Sequence, residues 1–172
     1  LEDKAQNRSN DGRVHPSGAL WASTMGRSAE KHSGAIYHVA GQTVTKLYSN
    51  VTIPNAICFS PDGGTGYFTD SAVNRLMRVA LDAKTGLPTS EPEVLSDESG
   101  TPGDVDGAVC DADGLIWNAR WGANAVDVYK PDGTKDYETE VEFWMPFKDN
   151  SVGFHDAGWQ EKFGGDWYVE HG

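Results

Sequence analysis

Asn10, Asn55 and Asp106 each stand eight residues ahead of a glycine, and each glycine leads into an apolar or aromatic stretch. The copies read Asn10-Asp11-Gly12-Arg13-Val14-His15-Pro16-Ser17-Gly18, Asn55-Ala56-Ile57-Cys58-Phe59-Ser60-Pro61-Asp62-Gly63 and Asp106-Gly107-Ala108-Val109-Cys110-Asp111-Ala112-Asp113-Gly114. They begin about 45 and then about 51 residues apart, in the range over which sequence repeats build four-stranded blades. Later elements keep the register. Leu20-Trp21, Tyr67-Phe68 and Ile116-Trp117 match as second strands, and Ile36–Val39, Leu76–Val79 and Val126–Tyr129 as third strands. Turn signals at Ala40-Gly41, Lys84-Thr85-Gly86 and Pro131-Asp132-Gly133 follow them.

The pattern predicts an all-β chain whose residues 10–134 form three radially arranged antiparallel blades, a partial set for a six-bladed propeller. One Asn or Asp opening a strand is ordinary turn chemistry, because its side chain bonds its own backbone. Recurrence in register carries more. Radial repetition brings equivalent residues to one height around a common axis, so Asn10, Asn55 and Asp106 are expected to share a polar centre. Uncovered blade faces and unpaired strand edges invite self-association.

A net charge of −12 argues against sequence-independent phosphate binding, and so against a nucleic-acid partner. There is no apolar run long enough to span a bilayer, and the polar Leu1-Glu2-Asp3-Lys4 is not a secretory signal. Cys58 and Cys110 lie in apolar strand segments and read as buried free thiols. The five histidines show no zinc-binding spacing.

The motifs Arg8-Ser9-Asn10-Asp11-Gly12, Gly18 through Met25, Gly34-Ala35-Ile36-Tyr37, Ile53 through Gly63 and Asp106-Gly107 through Trp121-Gly122 closely resemble the gluconolactonase and regucalcin family of six-bladed propellers. The resemblance covers roughly residues 1–134. It implies hydrolysis of a small sugar lactone with one divalent cation, calcium, magnesium, manganese or zinc, at the top of a central channel, and a cytoplasmic setting. Through it, Asn55 and Asp106 match metal ligands, with Asp106 also the general base. Arg8 and Asn10 match substrate-contacting positions, and Glu30, after the Thr-Met loop, matches a third. Oxygen ligands of this kind suit a hard cation. Arg120, beside Trp121, reads as a blade-packing residue. The family's glutamate metal ligand belongs ahead of Arg8, and Glu2 stands on the wrong side of the repeat to supply it. An incomplete metal site and impaired turnover are therefore expected.

Composition shifts near residue 135. Residues 140–172 hold eight of the chain's eighteen aromatics and lack the Pro-Asp-Gly blade pattern, so they read as a segment of different type. Residues 136–172, through Asp136 to Phe147, Gly153-Phe154-His155-Asp156-Ala157 and Phe163-Gly164-Gly165-Asp166, resemble part of an L,D-transpeptidase catalytic domain. Here the family's Ser-His-Gly-Cys segment is missing, so His155 has no thiolate to activate. Two readings of 135–172 stand: a foreign β-rich segment joined near Thr134-Lys135, which makes the chain a chimera, or a divergent blade. The principal functional reading is an impaired metal-dependent sugar lactonase. The alternatives are a non-catalytic, self-associating β scaffold and, less favoured, a transpeptidase fragment.

Overall fold

The computed structural model describes residues 2–140. They form three four-stranded antiparallel sheets, each a simple meander. Blade 1 contains β1 (Asn7–Val14), β2 (Leu20–Gly26), β3 (Gly34–Ala40) and β4 (Thr43–Val51). Blade 2 contains β5 (Pro54–Phe59), β6 (Thr65–Asp70), β7 (Arg75–Ala80) and β8 (Glu93–Asp97). Blade 3 contains β9 (Asp104–Cys110), β10 (Ile116–Trp121), β11 (Ala125–Tyr129) and β12 (Lys135–Glu140). The all-β, three-blade reading is the observed fold, and the matched second and third strands all lie where the repeat places them. No helix among the described residues is long and apolar enough to cross a membrane.

Strand β5 shows how the blades cohere. Every one of its positions is buried, because successive side chains point to opposite faces and both faces are covered. Ile57 and Phe59 join Trp21, Ile36, Phe68, Val79 and Leu81 in the core between blades 1 and 2. Ala56 and Cys58 join Tyr67, Leu76, Val105, Ala108, Ile116 and Tyr129 in the core between blades 2 and 3. Trp21 is fully buried, meets Phe59 edge to face at 5.4 Å, and donates its indole N–H to the Gly86 carbonyl at 2.9 Å. Such an indole combines apolar area with a satisfied donor.

The Pro131-Asp132-Gly133 hairpin returns the chain as β12, which pairs with β11 from Ala125↔Glu140 to Tyr129↔Lys135. Gly133 takes φ +92°, and a Cβ there would stand 2.3 Å from the Leu95 carbonyl oxygen, so this turn requires glycine. Residue 134, where the sequence reading sets a boundary, lies in this hairpin, and residues 135–140 run on as the outer strand of blade 3. The described residues fall within one compact unit, Leu1–Glu140. The transpeptidase-like motifs from Val141 onward, including His155, lie outside the described residues.

Candidate functional site

The inner strands β1, β5 and β9 begin at one end of the blades, where β2, β6 and β10 finish: Asn7 lies opposite Gly26, Pro54 opposite Asp70, and Asp104 opposite Trp121. Each inner strand carries a bulge there. Asn10 and Asp11 stand opposite Ser23, Ala56 and Ile57 opposite Phe68, and Asp106 and Gly107 opposite Ala119. A bulge adds a residue to one strand, bends it and re-aims its side chains. The repeated Asn or Asp thus lies in or directly beside a bulge in all three blades.

A chain of hydrogen bonds joins the blades at this end. Arg8 Nη1 donates to Asn10 Oδ1 at 2.8 Å. Asn10 Nδ2 donates to the Pro54 carbonyl at 2.9 Å and to Asn55 Oδ1 at 3.1 Å. Asn55 Nδ2 donates to Ser71 Oγ at 3.0 Å, and Ser71 Oγ to the Val105 carbonyl at 2.6 Å. The peptide on the other side of Asp106 is held too: Asn118 Nδ2 donates to the Asp106 carbonyl at 3.0 Å.

Further links draw the inner strands together. The Asp11 carboxylate accepts the Ile57 N–H at 2.8 Å, and Arg13 Nη2 reaches from blade 1 to the Ala108 carbonyl of blade 3 at 3.0 Å. The sequence reading missed Ser71, Asp11, Arg13 and Asn118. Asp11 and Arg13 lie inside the first repeat motif, which was the available signal. Ser71 and Asn118 have no counterpart that the repeat alignment singles out.

Asp106 is half-buried. Burial, followed by the charges of Asp11 and Asp104, pushes its carboxyl above the ordinary range against the opposing Gly107 N–H. Glu30 is exposed in the loop after β2 and accepts the Ser28 N–H at 3.1 Å, at the same end as Arg8. Arg120 is buried, donates to Thr101 Oγ1 and the Pro102 and Gly103 carbonyls, and lies 3.6 Å from both Glu98 and Asp127. That is a packing role. Glu2 accepts Asn7 Nδ2 at 2.7 Å and the Tyr37 hydroxyl at 2.7 Å, which ties the N-terminal segment to blade 1.

The thiols are not poised for nucleophilic attack. Cys58 is buried, and burial pushes its thiol far up; Cys110 is only half-buried, contrary to the expectation of a buried residue, and rises to about 11, chiefly by burial and then by the Asp111 charge. A thiol so raised is not a thiolate at neutral pH.

As a cation site, the inner-strand end fits in kind. Asn55 offers an amide oxygen, and Asp106 offers a carboxylate disfavoured by burial and by neighbouring acids. Both are hard donors that a divalent ion would stabilise. Among the described residues there is no group of three or more His, Cys, Asp or Glu side chains arranged to hold a metal.

Residues 1–146 match the SMP-30/gluconolactonase/LRE-like region. A provisionally named sugar lactone lactonase of Rhizobium meliloti (strain 1021) is 77% identical over 135 residues, 78% of this chain and 46% of that protein. L-arabinolactonase of Azospirillum brasilense is 34% identical over 139 residues, again 78% of this chain and 46% of that protein. The crystal structure of a calcium-binding protein, regucalcin, from Agrobacterium tumefaciens strain C58 aligns with a TM-score of 0.78 and 64% identity over 79% of this chain and 46% of that one. This chain spans about half the length of the relatives it matches. The matched region continues past residue 136, and the L,D-transpeptidase resemblance gains no support from these comparisons. With blades, repeat and relatives in agreement, the chain belongs to the SMP-30/gluconolactonase/LRE-like family.

Proposed function

We propose that the inner-strand end is a divalent-cation-dependent site for hydrolysis of a small sugar lactone. The carrying observation is the continuous hydrogen-bonded path from Arg8 through Asn10, Asn55 and Ser71 to the peptide beside Asp106. It links an amide and a guanidinium to the peptide that precedes an acid. Held by Asn55 and Asp106, a calcium, magnesium, manganese or zinc ion supplies Lewis acidity toward the lactone carbonyl. Asp106 acts as the base that takes a proton from the attacking water. Water adds to the carbonyl carbon, the ring C–O bond breaks, and the ring oxygen leaves with a proton as the new hydroxyl. Arg8 and Asn10 orient the sugar hydroxyls, and Glu30 contacts them from the loop after β2.

Glu2, held by Asn7 and Tyr37, is not among the ligands in this reading. The test is a pH-stat assay on gluconolactone-type substrates with manganese added, spontaneous hydrolysis subtracted at matched pH. Acid release that requires the ion and is lost in Asp106→Asn supports the proposal. A rate that is indifferent to chelator, or that survives Asp106→Asn, rejects it.

A further inference from the structure

Ser71 lies in the turn after β6, is 6% exposed, and bonds Asn55 on one side and the peptide preceding Asp106 on the other. Its hydroxyl has one proton. The Val105 carbonyl can only accept, so the 2.6 Å contact between them places that proton on the Ser71–Val105 bond. The hydroxyl oxygen then has only lone pairs left for the Asn55 amide 3.0 Å away. Asn55 must therefore turn its NH2 group toward Ser71 and its Oδ1 away, where Asn10 Nδ2 meets it at 3.1 Å. Asn10 is oriented by the same logic. Arg8 has no acceptor, so Asn10 turns its Oδ1 to Arg8 and its NH2 to Asn55.

We infer that Ser71 is the positioning residue that fixes which end of the Asn55 amide is offered to a divalent cation, while its second bond holds the Val105 peptide next to Asp106. This rests on the proposed cation site, but the orientation itself does not depend on an ion being bound. A side-chain oxygen already held in one orientation avoids the cost of reorienting at the moment of binding.

The experiment is a double-mutant cycle read by calorimetric titration with manganese on the full chain: wild type, Ser71→Ala, Asn55→Ala and the pair. Ser71→Ala is expected to weaken manganese binding by about tenfold, the effect of one well-made hydrogen bond on an equilibrium. In the Asn55→Ala background the same change is expected to have little effect, because the group it orients is gone. Unchanged affinity in Ser71→Ala, or an equal loss in both backgrounds, overturns the inference. A second readout needs neither metal nor a substitution at Ser71. The Asn55 side-chain amide protons in wild type, assigned by their loss in Asn55→Ala, should exchange slowly with solvent. Exchange at the rate of a free amide overturns the inference as well. Should wild type bind no manganese, the proposed function fails, and amide exchange alone decides the role of Ser71.

Discussion

Asp106 is a carboxylate held where a carboxylate is disfavoured. Burial and the charges of Asp11 and Asp104 raise its proton affinity in the folded chain. For an acid of raised folded pKa the linkage runs opposite to the common case. The penalty is absent at low pH, where the group is protonated in both states, and is fully present above the folded pKa. Asp106→Asn is therefore expected to raise the melting temperature at pH 7, with the gain vanishing as pH falls below the ordinary carboxylate range. Any lactone hydrolysis should drop by about a hundredfold or more with the loss of a general base. Thermal melts across pH check the first part and the pH-stat assay the second. The recurrence of Asn10, Asn55 and Asp106 was legible because a repeat marks equivalent places in successive blades. Ser71 and Asn118 were not, since each works through a hydrogen bond to a peptide distant in sequence, and no periodicity records that partner.

The blades show what alternation and turn chemistry reveal. Strands of Ile36–Val39, Leu76–Val79 and Val126–Tyr129 follow from apolar patterning, and the hairpins from glycine and Pro-Asp-Gly signals. The inner-strand bulges were hidden, because one extra residue breaks a pairing register without changing composition. The latch over blade 1 was hidden as well. Burial pushes the Glu2 carboxyl up, but the Thr24 hydroxyl, then the bonds from Asn7 and Tyr37 and the Lys4 charge, outweigh it and hold it at about 2. With a depressed folded pKa, the stabilisation is present above the ordinary value of 4.5 and is lost as pH falls toward about 2. Glu2→Gln should therefore lower stability at neutral pH and flatten its dependence on acid over that window. Denaturant melts of both proteins at a series of pH values measure this, and equal acid sensitivity would contradict the latch.

Across the whole molecule, the two interblade cores bury their own apolar residues, yet others stay in water. Val14 and Leu20 on blade 1, and Val109 and Trp121 on blade 3, are exposed, Trp121 by 70%. We propose that they drive association between copies of this chain, opposed in part by the charge of −12. Sedimentation over a concentration series should show growing mass that falls on Trp121→Glu; a concentration-independent monomer would contradict it. In the proposed function, three blades deliver Asn10, Asn55 and Asp106 to one cation-binding centre. Substoichiometric manganese added to isotopically labelled protein tests it most directly, because a bound paramagnetic ion broadens only nearby resonances. Selective broadening at Asn10, Asn55 and Asp106, abolished by Asp106→Asn, is the expected result. Broadening centred on the acidic turns at Asp62 or Asp132, with the inner-strand ends untouched, would contradict it.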